Sequence, residues 1–235
     1  MRSNIKEFCF PTSAKEAARL AARLKDKAVV VAGGTRHTRS MAPAVETVVD
    51  ISDLPLKHIQ EDSQWLRIGA MCTIADLENS PVLAKWADGV IAKTASFGSN
   101  ALARSMGTVG GNVVRAHPFN NLPPVFLALD AVAVCTDGKS EKTMPFADML
   151  KPAVMREFGR RCILTEIRVP ALTSGHAAVS MRLAETKTDW EAYANCVVVV
   201  EAKKGTVLKA AIAVSAVVSR AARMVKAEKL LSGQP

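Results

Sequence analysis

Apolar and polar residues along this chain follow two periods, and the switches between them mark its elements. Ser13-Ala14-Lys15-Glu16 has the S-x-x-E form of a capping box. Ala17, Leu20, Ala21 and Leu24 then recur at helical spacing. The β-branched run 28–31 predicts a strand entering Gly33-Gly34, and 47–51 predicts a second strand. The opening is therefore α/β in character. Residues 65–70 alternate as a strand does, and Thr73 is placed to cap a helix running through Leu77. Residues 82–104 read as helical pieces broken near Gly89 and Gly98. A helix is predicted over 122–129, with Pro123 and Pro124 in its first turn.

A strand over 131–136 closes at Asp137-Gly138, residues 151–161 form a basic loop or helix, and a strand over 162–170 is stopped by Pro170. Residues 171–176 are linker-like and mark a domain boundary. Three strand-like runs follow at about 177–184, 194–203 and 207–218. A basic amphipathic helix is expected from about Ser219 to Leu231, ending at Gly233.

Composition narrows the picture. With 49% hydrophobic residues in 235, the chain builds a sizeable core. Its longest apolar stretches are broken by charge or proline, so no transmembrane helix is expected, and the N-terminus lacks an apolar signal core. The five cysteines (Cys9, Cys72, Cys135, Cys162 and Cys196) are evenly spread, with no C-x-x-C. They supply no local pattern for zinc or an iron–sulfur cluster and suit a reducing, cytoplasmic compartment. Net charge is +9, but the basic residues are dispersed and aromatics make up only 5%. A nucleic-acid binder that stacks bases is thereby disfavoured. The positive surface suits an anionic cofactor or an acidic partner subunit.

The candidate chemistry lies in two glycine pairs. One is Val31-Ala32-Gly33-Gly34-Thr35, at the end of a strand. The other is Gly107-Thr108-Val109-Gly110-Gly111-Asn112. Glycine permits positive φ and close backbone approach to a ligand, and consecutive N–H groups in such a turn form an anion site. Two such turns can clamp a diphosphate, which points to a dinucleotide. Neither matches G-x-G-x-x-G or the phosphate loop, so ordinary turns remain an alternative reading.

The order of segments resembles the flavin-binding medium subunit of molybdenum hydroxylases, the group containing xanthine dehydrogenase and carbon monoxide dehydrogenase. The resemblance rests on Ala32-Gly33-Gly34-Thr35, Val49-Asp50-Ile51-Ser52, Ile68-Gly69-Ala70 with Thr73, and Thr108-Val109-Gly110-Gly111-Asn112. It continues through His117-Pro118-Phe119-Asn120-Asn121-Leu122-Pro123-Pro124 into Leu127-Ala128-Leu129-Asp130-Ala131, and through Ile163 to Pro170. Arg220-Ala221-Ala222-Arg223 and 227–233 match the first helix of the small C-terminal domain. The likeness runs from about residue 8 to the end of the sequence.

It implies an α+β fold. A PCMH-like FAD-binding α/β domain spans 1–172, with subdomains at about 1–55 and 56–172. A small C-terminal domain, shorter than in complete relatives, follows at 177–235. The implied activity is electron transfer. A large partner subunit carries the molybdenum cofactor, a small one carries [2Fe–2S] clusters, and this chain holds FAD non-covalently and passes electrons to NAD or another acceptor. Val31 to Thr35 and Thr108, Gly110, Gly111 and Asn112 would hold the diphosphate and ribityl chain through backbone N–H groups and hydroxyls. Ala70 would line the nucleotide channel or merely permit close packing. Leu164 would press on the isoalloxazine ring or belong to the core.

This sequence also departs from the family. Arg36-His37 follows the first turn where an acidic residue is frequent, and Arg36 is either a phosphate contact or a solvated charge. Asn121 stands where Asp is frequent. Arg182 lies near the position of a family Lys close to the flavin carbonyls. A flavin-free scaffold with the same fold is the alternative function.

Overall fold

The computed structural model describes residues 4–36, 41–172 and 175–235. His37 lies outside the described residues. The first sheet joins β1 (Glu7–Cys9), β2 (Ala28–Val31) and β3 (Thr47–Asp50) in the order β1-β3-β2, all parallel. Helix α1 (Ala14–Leu24) crosses between β1 and β2, as a parallel pairing requires. Its buried side is Ala17, Ala18 and Ala21, small enough to set the helix close on the sheet, where it meets Val49, Ile51, Met71 and Ile163. Only half of the expected capping box forms. Ser13 Oγ accepts from Glu16 N at 3.2 Å, while the Glu16 carboxylate accepts from Thr12 rather than from Ser13.

The second sheet has the order β4-β5-β8-β6-β7, from β4 (Ile59–Glu61), β5 (Trp65–Gly69), β6 (Val132–Thr136), β7 (Glu141–Pro145) and β8 (Ile163–Pro170), all antiparallel. Its connections carry α2 (Ile74–Glu78), α3 (Pro81–Lys85), α4 (Val90–Ala95), α5 (Ala101–Met106), α6 (Val109–Arg115), α7 (Leu122–Ala128), α8 (Phe146–Met149) and α9 (Pro152–Met155). Thr73 caps α2 in a full capping box with Asp76. The helical stretch breaks at Gly89 and Gly98, whose φ angles are +70° and +64°. Helix α7 is buried along its whole length, and Phe126 meets Phe146 edge-on at 5.7 Å.

The third sheet is antiparallel, β12-β11-β10-β9, from β9 (His176–Leu183), β10 (Ala194–Lys203), β11 (Thr206–Ser215) and β12 (Ala222–Arg223). Val197, Val199, Ala211 and Ala213 alternate onto its inner face and join the core that holds α7 and the second sheet.

The C-terminal segment corrects one expectation. No helix runs from Ser219. Residues 222–223 pair with β11 instead, and α10 (Val225–Leu231) starts later. The cause is Arg223. Its guanidinium reaches Leu127 O at 3.0 Å, Asp130 Oδ1 at 2.7 Å and Glu228 Oε1 at 2.5 Å, and Met224 N donates to Ile212 O at 2.7 Å. These tertiary bonds outweigh a helix propensity of a few tenths of a kcal/mol per residue, on the order of the known scales.

Candidate functional site

The two glycine turns meet. A Cβ built on Gly33 would lie 1.7 Å from Met106 O and 3.4 Å from Thr108 Cγ2. Only a residue without a side chain allows the first turn to touch the chain just before the second. Gly34 takes φ +68°, the left-handed region that glycine fills at no steric cost. Among the described residues, no hydrogen bond occupies the N–H of Gly33 or Thr35, so both remain as donors beside Val31, Ala32 and the exposed Arg36.

The second turn works differently from the sequence expectation of a backbone N–H cradle. Thr108 caps α6, and its Oγ1 accepts from Gly111 N at 3.0 Å. Val109 N donates to Cys72 O at 2.8 Å, Gly110 N to Ala70 O at 2.8 Å and Asn112 N to Thr108 O at 2.9 Å. These donors are already engaged. Gly110 is glycine for packing: its Cβ would stand 3.0 Å from Ala70 O and 3.1 Å from Ala70 Cβ. Ala70 is thus a close-packing residue, 4% exposed, against the first turn of α6. Leu164 is also 4% exposed and belongs to the main core. What α6 offers outward is side-chain chemistry. Asn112 Oδ1 is buried and has no partner, and the Thr108 hydroxyl keeps its proton to donate.

Asn121 and Arg182, distant in sequence, converge on Gly98. A Cβ there would lie 3.5 Å from both Asn121 Nδ2 and Arg182 Nη2. Asn121 Nδ2 donates to Phe97 O at 2.5 Å, while its Oδ1 is buried without a partner. Arg182 donates to the carbonyls of Asp189 and Thr186, and its Nε is likewise orphaned. Burial of such atoms costs roughly 1–3 kcal/mol each unless a partner is supplied.

The 184–193 loop of the C-terminal sheet reaches the same place. Gly98 N donates to Lys187 O at 3.3 Å. Trp190 packs on His117 at 4.6 Å and on Phe119 at 5.5 Å, and Arg115 Cζ sits 5.2 Å from its ring centre. Burial, then the charges of Arg115 and Arg36, push His117 below the usual imidazole range, against the opposing pull of Glu191. The imidazole is therefore neutral at pH 7. Arg115 and Trp190 were not found by sequence reasoning, and His117 entered it only as the first residue of a family motif. The available signal was Trp190, with Tyr193 three residues on, in a polar stretch of an aromatic-poor chain.

Residues 3–172 match the family described as the FAD binding domain in molybdopterin dehydrogenase. The chain belongs to this family. It is similar to the carbon monoxide dehydrogenase medium chain of Hydrogenophaga pseudoflava, 30% identical over 92% of this chain and 76% of that one. The nicotine 6-hydroxylase medium subunit of Paenarthrobacter nicotinovorans is 25% identical over 96% of this chain and 80% of its own length. Among solved structures, carbon monoxide dehydrogenase from H. pseudoflava lacking the Mo-pyranopterin moiety superposes with a TM-score of 0.91, covering all of this chain and 82% of that one. This chain is an FAD-binding medium subunit of the molybdenum-hydroxylase class of oxidoreductases.

The residues present fit FAD. The orphaned acceptors on Asn112 and Asn121 suit hydroxyl or N–H donors, and the open N–H groups of the first turn with the Arg182 Nε suit phosphate or carbonyl oxygens. Among the described residues no group of His, Cys, Asp and Glu could hold a metal ion, and no helix is long and apolar enough to cross a membrane.

Proposed function

We propose that this chain carries FAD as the electron-transfer subunit of a cytoplasmic molybdenum hydroxylase. Electrons would come from [2Fe–2S] clusters on a small partner subunit, supplied in turn by the molybdenum cofactor of a large one, and leave to NAD or another acceptor. The observation that carries the reading is the placement of orphaned buried atoms. Among the described residues five carry such atoms; one is Asn112 on α6, beside the second turn, and two are Asn121 and Arg182, which come together at Gly98. A flavin-free scaffold would leave those three atoms desolvated and unpaired.

The roles divide as follows. The first turn, Val31 to Arg36, presents N–H groups to the diphosphate. Thr108 and Asn112 would meet the ribityl hydroxyls, while Ala70 and Gly110 let α6 seat closely. Asn121 and Arg182, brought together at Gly98, would meet isoalloxazine carbonyls and ring N–H groups. Bound flavin accepts and releases electrons; the protein holds and orients it. Residues 1–172 act as the FAD-binding unit, and 177–235 contribute Arg182 from outside it.

Purification tests this. The protein should show visible flavin absorbance, and acid precipitation should release all of it as FAD. Flavin left in the pellet would contradict non-covalent binding, and FMN would contradict a diphosphate site. Co-expression with the two partner subunits should give a complex that hydroxylates substrate, whereas the chain alone should not.

A further inference from the structure

The last turn of α6 carries a charge that no carboxylate pairs with among the described residues, although Glu191 acts on the neighbouring His117. Arg115 ends the helix, and among the described residues it makes no ion pair. It rests on the face of Trp190 and lies close enough to Arg36 for the two like charges to oppose one another. His117, two residues further on, feels both arginines. A partly buried guanidinium beside a second one is unfavourable unless an anion joins them. A cation–π contact does not replace that anion.

Asn112 stands three residues before Arg115 and so shares its face of α6. Its unpaired Oδ1 accepts, and the guanidinium donates. A ligand that answers both carries a hydroxyl next to a phosphoryl group, which is the chemistry of a nucleotide's sugar or ribityl phosphate.

We propose that Arg115, with Arg36, is a phosphate-binding residue for a nucleotide diphosphate, and that Trp190 positions it from the C-terminal sheet. This rests on the FAD reading above for the source of the diphosphate, with an acceptor nucleotide as the other source of the same chemistry. His117, neutral, packs on the same ring with its plane tilted by 36°, and Phe119 meets it edge-on.

Calorimetric titration of flavin-stripped protein with FAD, NADH and ADP tests the assignment. Charge-assisted hydrogen bonds of this kind change affinity by about 10-fold or more. Arg115→Gln should weaken ADP by that factor, and the loss should shrink as salt rises. If FAD weakens in parallel, the flavin's diphosphate is the ligand; if FAD is unchanged and NADH weakens, the acceptor's is. Unchanged affinity for all three overturns the proposal. Wild-type protein that binds ADP but never FAD would instead sink the FAD reading and leave the arginine assignment standing. Trp190→Phe, which keeps a ring under the cation, should bind like wild type, and Trp190→Leu should lose affinity as Arg115→Gln does. Equal loss in both tryptophan variants would refute the positioning role. Should Arg115→Gln fail to fold, Arg115→Lys keeps the charge without the flat fork. It should bind ADP more weakly than wild type, and wild-type affinity there would overturn the role of the guanidinium.

Discussion

Gly33→Ala tests whether the two turns must touch. The added Cβ would overlap Met106 O at 1.7 Å and Met106 C at 2.7 Å, so the turns must part by about 1.5 Å to restore ordinary contact. Met106 cannot step aside. It ends α5, and the next residue is pinned on both sides: Gly107 N donates to Ala103 O at 2.8 Å, and its O accepts from Ile74 N at 2.8 Å. The first turn must therefore move, against the Ile51 N to Val31 O bond of 2.9 Å. Overpacking of this kind costs about 1–3 kcal/mol. At about 2–4 °C per kcal/mol for a chain of this size, Tm should fall by about 2–12 °C. Flavin affinity should fall further, because the turn's N–H donors move with it; losing one charge-assisted hydrogen bond weakens binding about 10-fold or more.

The control is Gly111→Ala, where the only close atom is Thr108 Oγ1 at 3.0 Å. That position is helical with no positive φ, so alanine gains up to about 1 kcal/mol of helix propensity and Tm should hold or rise. Melting with and without added FAD, together with flavin-to-protein absorbance ratios, reads both variants. A Gly33→Ala protein with wild-type Tm and flavin content would refute the argument. A Gly111→Ala protein that keeps its Tm but loses flavin would show that the ligand approaches the backbone at Gly111 after all.

Arg223→Met removes the partner of Glu228, whose side chain is 11% exposed, and should cost on the order of 3 kcal/mol in urea unfolding. Burial opposes the charges of Asp130 and Glu228, yet Lys209 and Arg223 hydrogen-bond the first, and Arg223 with the Ile212 N–H the second, holding both carboxyls below their usual range. Depressed carboxylates stabilise above the unfolded value of about 4 and lose that contribution as pH falls through the folded values, so acid unfolding should be flatter in Arg223→Met than in wild type. In native protein a bulky thiol reagent should label Cys9 and Cys196 but spare Cys72, Cys135 and Cys162, which are buried; rapid labelling of all five would contradict the packing that puts Cys135 and Cys162 Sγ atoms 3.5 Å apart.

Local signals were legible where the partner is local. Thr73 finds Asp76 three residues on, and Gly89 and Gly98 break helices because their own φ is positive. The alternating runs of β9, β10 and β11 declare a sheet with one buried face. What stayed hidden depends on distant groups. β7 reads Glu-Lys-Thr-Met-Pro, almost fully exposed at a sheet edge, and carries no apolar period to find. The β12 pairing comes from Arg223 reaching Leu127 and Asp130, nearly a hundred residues away. In the site, the motif residues were recognisable, but the loop that brings Trp190 to Arg115 was not, since nothing local ties residue 190 to α6.

The two glycine pairs look alike in sequence and differ in what they do. In the first, Gly33 permits contact with Met106 while N–H groups of the turn stay open. In the second, the N–H groups of Val109, Gly110, Gly111 and Asn112 are all engaged, so the turn fixes α6 rather than presenting its backbone. On the proposed reading, the ligand-facing chemistry of α6 comes from side chains one turn apart, Asn112 and Arg115. This separates the two kinds of change. Substitution of Gly33 disturbs fold and affinity together, because one contact serves both. Substitution of Arg115 should, on the proposed reading, alter affinity more than stability, because its packing partner Trp190 is an exposed ring. Differences in cofactor affinity among chains of this fold can therefore arise at the end of α6 without any change in the glycine turns themselves.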